Sequence, residues 1–128
     1  MQIRSSAPHL FVSDVPRTVD WFVDVLGFER PTLWGEPPEF AMPQRDGFIV
    51  MVQQCPGVPV APHGDAECWD AYFWVKGLDP WVEEIRARGA DIAEGPVDRP
   101  DYGMRELTVR SPDGHLLVFA EDIGEGAV

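Results

Sequence analysis

Three histidines (His9, His63 and His115), two cysteines (Cys55 and Cys68) and 22 Asp and Glu residues hold most of the reactive groups of this 128-residue chain. Their spacing builds none of the common reaction centres. A serine nucleophile needs a histidine base and an orienting carboxylate, a zinc peptidase needs HExxH on a helix, and a phosphate loop needs glycines ahead of a helix. The chain carries none of these patterns. Cys55 and Cys68 form no CxxC array, which argues against a zinc site or a disulfide framework. No two carboxylates are spaced so as to divide the roles of acid and base. The other residues with chemical reach are aromatic: five Trp, two Tyr and seven Phe. Their π-faces hold flat organic molecules by stacking, where a few polar groups converge beside them.

Those aromatics fall on elements whose pattern can be read. Ala7 to Val12 alternates, with Ala7, His9 and Phe11 on one face and Pro8, Leu10 and Val12 on the other, as in a strand. Asp14 then offers an N-cap with Pro16 in the first turn, Val15, Val19, Phe22 and Leu26 recur at helical spacing, and Gly27 supplies the stop. Short strands are expected near Glu29–Trp34 and Glu39–Pro43. A clearer one, Phe48–Gln53, follows the turn Arg45-Asp-Gly47 and sets Ile49, Met51 and Gln53 on one face.

After a stretch rich in Pro and Gly, from Cys55 to Gly64, the programme starts again. Asp70, Tyr72 and Trp74 alternate with Ala71, Phe73 and Val75. Asp79-Pro80 opens a helix that runs to Arg88 and stops at Gly89. Strands are expected near Asp91–Glu94, Arg105–Arg110 and His115–Glu121. Val12 and Val75 match at an offset of 63 residues, and Asp46-Gly and Asp113-Gly match at 67, as in a duplicated unit. The expected organisation is one domain of two modules, about 7–54 and 68–122, joined by a linker at 55–67.

Composition narrows the partners. With 45% hydrophobic and 25% charged residues the chain can build a packed core. Its formal charge of −12 repels phosphate backbones, which disfavours nucleic acid, and attracts cationic small molecules. The first ten residues hold no apolar leader and no segment reaches the length of a membrane span, so a cytoplasmic location is expected, with no membrane partner.

The segments Leu10-Phe-Val-Ser-Asp-Val-Pro16, Trp21-Phe-Val-Asp-Val-Leu-Gly-Phe28, Phe73-Trp-Val-Lys-Gly-Leu-Asp79, Tyr102-Gly-Met-Arg-Glu106 and Arg110-Ser-Pro-Asp-Gly-His115 resemble the glyoxalase/bleomycin-resistance/dioxygenase group, also called the vicinal oxygen chelate superfamily. The resemblance implies an α+β fold: two tandem βαβββ modules forming a cupped eight-stranded mixed sheet, with helices on the outer face and homodimerisation closing the cup. Metal enzymes of the group take ligands from the first and last strand of each module. Here those positions correspond to Ala7, Met51, Asp70 and Val118, three of which offer no suitable donor for a catalytic divalent metal. No metal, no catalytic residue and no cofactor is therefore expected.

Extending the alternation into the implied cup assigns His9, Phe11, Met51, Gln53, Asp70, Tyr72 and Trp74 to ligand contact. Trp34, Phe40 and Tyr102 join from less regular segments expected to form its rim, where Trp69 also lies. Arg105 joins through the pair Arg105-Glu106, which resembles a recurrent pair near the family's cleft. The expected function is metal-independent sequestration of a planar, cationic small molecule such as a bleomycin-type antibiotic, by a homodimer. The alternative is a lyase, isomerase or dioxygenase of the same group.

Overall fold

The computed structural model describes residues 1–65 and 67–124. The chain divides into two compact units, Met1–Ala61 and the chain from Pro62 onward. In the first, β1 (His9–Phe11) leads into α1 (Val15–Asp24), followed by β2 (Leu33–Trp34), β3 (Phe40–Ala41), β4 (Gln44–Arg45), β5 (Phe48–Ile49) and β6 (Met51–Gln53). In the second, β7 (Ala71–Trp74) leads into α2 (Leu78–Ala87), then β8 (Ile92–Arg99), β9 (Met104–Arg110) and β10 (Leu116–Asp122). Among the described residues that makes two helices and ten strands, an α+β fold.

Both units follow one path. Their four-stranded sheets run β1-β6-β3-β2 and β7-β10-β9-β8. In each, the first strand lies parallel to the last and the remaining pairs are antiparallel. This identity of order is the structural form of the sequence repeat. In the first unit the third and fourth strands are each split in two, and β4 pairs β5 separately. Pro43 stands at the split: it has no N–H to give, but its carbonyl still accepts from the Val50 amide at 3.0 Å.

Each helix covers one face of its own sheet. α1 packs on β3 and β6, and Val15, Val19, Phe22 and Leu26 are buried with Leu10, Val12, Ala41, Val50 and Val52. Burying each large apolar side chain contributes about 1.5–3 kcal/mol, so this face holds the unit together. In the second unit, α2 packs on β10, burying Leu78, Val82 and Ile85. Trp81 lies 4.6 Å from the ring of Phe119, which stacks on Phe73 at 4.9 Å. The strand faces that alternation set apart from His9, Phe11, Tyr72 and Trp74 are thus the ones the helices cover.

Three boundaries differ from expectation. α2 starts at Leu78, ahead of Asp79-Pro80, from a left-handed Gly77 with no side-chain cap of its own. Instead Glu121 reaches over from β10, its carboxylate accepting from the Gly77 and Leu78 amides at 2.9 and 3.1 Å. β2 is shorter than expected because Pro31 interrupts pairing, and Glu29 makes only a single bridge to Gln44. β8 runs well past Glu94 because its register with β9 shifts around Gly95, which takes φ +95°. A Cβ at Gly95 would overlap the carbonyl oxygen of Glu106, so only glycine lets these strands approach.

Candidate functional site: two aromatic sheet faces

Opposite α1, the first sheet presents a row of side chains set by register. Trp34 pairs with Phe40, Phe40 with Gln53, and Gln53 with Phe11, so four strands each place one residue on the same face. Trp34 is 45% exposed, and its ring lies 5.7 Å from Phe40. His9 lies beside Met51, 4.9 Å from the Phe11 ring, and its Nε2 is hydrogen bonded to Gln53 Oε1 at 2.8 Å. The structure therefore brings His9, Phe11, Trp34, Phe40, Met51 and Gln53 to one face, apolar apart from one imidazole–amide pair.

The corresponding face of the second sheet is different in character. Tyr72 rests on Met104, Val118 and Ala120 and forms the middle of an aromatic chain, 5.2 Å from Trp69 and 4.9 Å from Trp74. Trp74 is 75% exposed. Beneath these rings lies a charged network. The Tyr72 hydroxyl donates to Glu106 Oε2 at 2.6 Å, and Arg99 Nε donates to Glu106 Oε1 at 3.3 Å. Arg99 also pairs with Glu94. The Glu106 side chain is only 6% exposed, so the phenol and guanidinium replace the water it gave up.

This surrounding shifts the phenols. Burial, and then the hydrogen bond to Glu106, push the Tyr72 pKa well above the usual phenol value. Burial and Glu106 raise Tyr102 in the same direction, while Arg99 pulls it back. Both are held as neutral hydroxyls.

Two expected contacts are placed elsewhere. Arg105 shares the strand parity of Leu107 and Val109, both buried under α2, and it binds Asp79 and Asp98 at 2.9 Å each. Of the pair Arg105-Glu106, it is Glu106 that turns toward the aromatics. The parity of Leu107 and Val109 was the signal in the sequence. Asp70 is occupied by the fold: its 6%-exposed carboxylate accepts from the Leu116 amide at 2.8 Å and the His63 amide at 3.2 Å, pinning the entry of β7 to β10. Arg99 and Glu94 were missed as candidates because the bulge at Gly95 obscured the parity of β8, whereas Trp69, expected at the rim, lies against Tyr72.

Across the first and last strands the register sets His9 opposite Met51 and Tyr72 opposite Val118, with Ala7 and Asp70 two residues earlier on their strands' approach. A divalent metal fits neither set. Ala7 and Val118 carry no donor, Met51 offers a soft thioether, and the Asp70 oxygens already serve backbone amides. Among the described residues no three His, Cys, Asp or Glu side chains gather in a group able to hold a metal ion.

Repeated mixed sheets in the order first–last–third–second, each backed by one helix, define the class. The chain belongs to the Glyoxalase/Bleomycin resistance protein/Dioxygenase superfamily, whose family model matches residues 4–119. Among solved structures it is similar to TioX from Micromonospora sp. ML1, at 33% identity over 91% of this chain and 96% of that one, with a TM-score of 0.70. A virulence protein from Salmonella typhimurium shares the fold at 23% identity, covering 95% and 98% of the two chains, with a TM-score of 0.69. A glyoxalase/bleomycin resistance protein/dioxygenase from Nocardioides does so at 21% identity, covering 99% and 89%, with a TM-score of 0.67. No curated protein matches the chain.

Proposed function

We propose that this protein binds, without a metal ion, a small planar organic molecule that carries positive charge, and sequesters it unaltered. The observation that carries the reading is the chain of contacting rings Trp69–Tyr72–Trp74 on the sheet face that α2 does not cover, with Trp74 three-quarters exposed. An exposed indole at the end of an ordered aromatic row is a stacking surface. The net charge of −12 draws cations to it. We also propose a cytoplasmic homodimer as the working form; among the described residues no helix is long and apolar enough to cross a membrane.

A bleomycin-type antibiotic is the first ligand to test. Titration is expected to quench tryptophan fluorescence saturably, with Trp74→Ala weakening binding by ~0.5–2 kcal/mol, the usual size of a cation–π contact. Chemical analysis after long incubation is expected to return the ligand intact. A modified ligand would make the protein an enzyme and replace sequestration with the alternative reading. Stoichiometric metal that survives dialysis, and is lost on replacing His9 or Asp70, would overturn the metal-free reading.

A further inference from the structure

We infer that Glu106 is a positioning residue for ligand binding: clamped by Arg99, its buried carboxylate holds the Tyr72 hydroxyl and so fixes the ring on which Trp69 and Trp74 are ordered as one stacking surface. The inference rests on the binding reading above and deepens it. Equivalence within the repeat shows what is special here. By register, Phe40 of the first sheet occupies the place of Glu106, and His9 that of Tyr72. The first face therefore has no buried ion pair beneath its rings. Among the described residues, only in the second module is a carboxylate taken out of water directly under an aromatic row, a placement that costs stability unless every lone pair is met. Tyr72 and Arg99 meet it at 2.6 and 3.3 Å.

The consequence for the ring is directional. Contacts with Met104, Val118 and Ala120 support the Tyr72 ring from below but do not fix its rotation in the plane. The short bond to Glu106 does. With Trp69 and Trp74 leaning on that ring at 5.2 and 4.9 Å, one hydrogen bond orders three aromatic side chains. A preordered surface gives up less entropy on binding than a mobile one. The network also selects charge. Glu94 and Glu106 share the single guanidinium of Arg99, so the cluster keeps an excess negative charge and disfavours planar anions.

The test uses the whole chain and the planar monocation 9-aminoacridine, followed by tryptophan quenching. Tyr72→Phe keeps the ring and removes one oxygen. It is expected to weaken binding about threefold to tenfold and to diminish the tryptophan bands of the near-ultraviolet circular dichroism, with the far-ultraviolet spectrum held and the thermal midpoint lowered by the loss of one donor to the buried carboxylate. Glu106→Gln is expected to do the same, and the double variant to bind no worse than the weaker single one, because both act through one bond. Tyr72→Phe suffices if Glu106→Gln fails to fold. Wild-type affinity and dichroism in Tyr72→Phe, or additive losses in the double variant, overturn the inference. If the wild type ignores 9-aminoacridine, the binding reading falls. Positioning is then decided by the dichroism alone, where an unchanged spectrum in Tyr72→Phe overturns it and a diminished one upholds it.

Discussion

Glu106, Tyr72 and Gly95 show how much a single position can decide. Glu106 is buried because two donors reach it, and one of them, Tyr72, is kept neutral in return. The Tyr72 pKa is raised in the folded state above the unfolded value of about 10, first by burial and then by the Glu106 bond. The native state therefore holds this proton more tightly. The resulting stability is fully present below about pH 10 and is lost as the pH rises above it. Urea unfolding across that range is expected to show a steeper alkaline decline in the wild type than in Tyr72→Phe. Gly95 acts sterically: at φ +95° a side chain is strained, and a Cβ would meet the Glu106 carbonyl, which the β9 ladder holds in place. Gly95→Ala is expected to cost at least about 2 kcal/mol in urea unfolding and to disturb the Arg99–Glu106 pair with it.

At the scale of elements, the two helices are alike in length and burial but are started by different devices. α1 carries its own cap, with Asp14 accepting from the Arg17 amide at 3.0 Å. α2 borrows its cap from Glu121, 43 residues away in sequence. Asp14→Ala and Glu121→Ala are each expected to destabilise by about 0.5–2 kcal/mol, read from the shift in denaturation midpoint at constant slope. Were Glu121→Ala neutral, the amides of Gly77 and Leu78 would be finding water instead, and the borrowed cap would be incidental.

For the molecule as a whole, charge and assembly make separable predictions. At −12, attraction of a cationic ligand is expected to weaken as salt shortens the Debye length from ~10 Å at 0.1 M, while the stacking contribution persists. Affinity that ignores both salt and Trp74→Ala would remove the cationic-ligand reading and leave the fold untouched. Exposed rings such as Trp34 and Trp74 are surface that a second copy can bury. Light scattering at micromolar concentration is expected to give about twice the chain mass of 14.3 kDa. A monomer under those conditions rules the dimer out.

The sequence by itself determined the tandem repeat, both helices, the apolar face beneath each, and the family. These are local or periodic properties: alternation in Leu10, Val12, Val50 and Val52, helical spacing in α1, and Asp-Gly turns at equivalent places all follow from chain geometry within a few residues. It also determined that Ala7 and Val118 offer no metal donor and Met51 only a soft thioether, since residue type alone settles that. Tertiary structure decided what depended on partners distant in the chain. Leu116 and His63 turned Asp70 into a structural anchor, and the parity of β9 sent Arg105 to α2 and Glu106 to the aromatic face. The bulge at Gly95 shifted the register of β8 and brought Arg99 beside Glu106. Each of these outcomes is a cross-strand or long-range hydrogen bond, and such bonds are selected by register and burial, which no window of neighbouring residues contains.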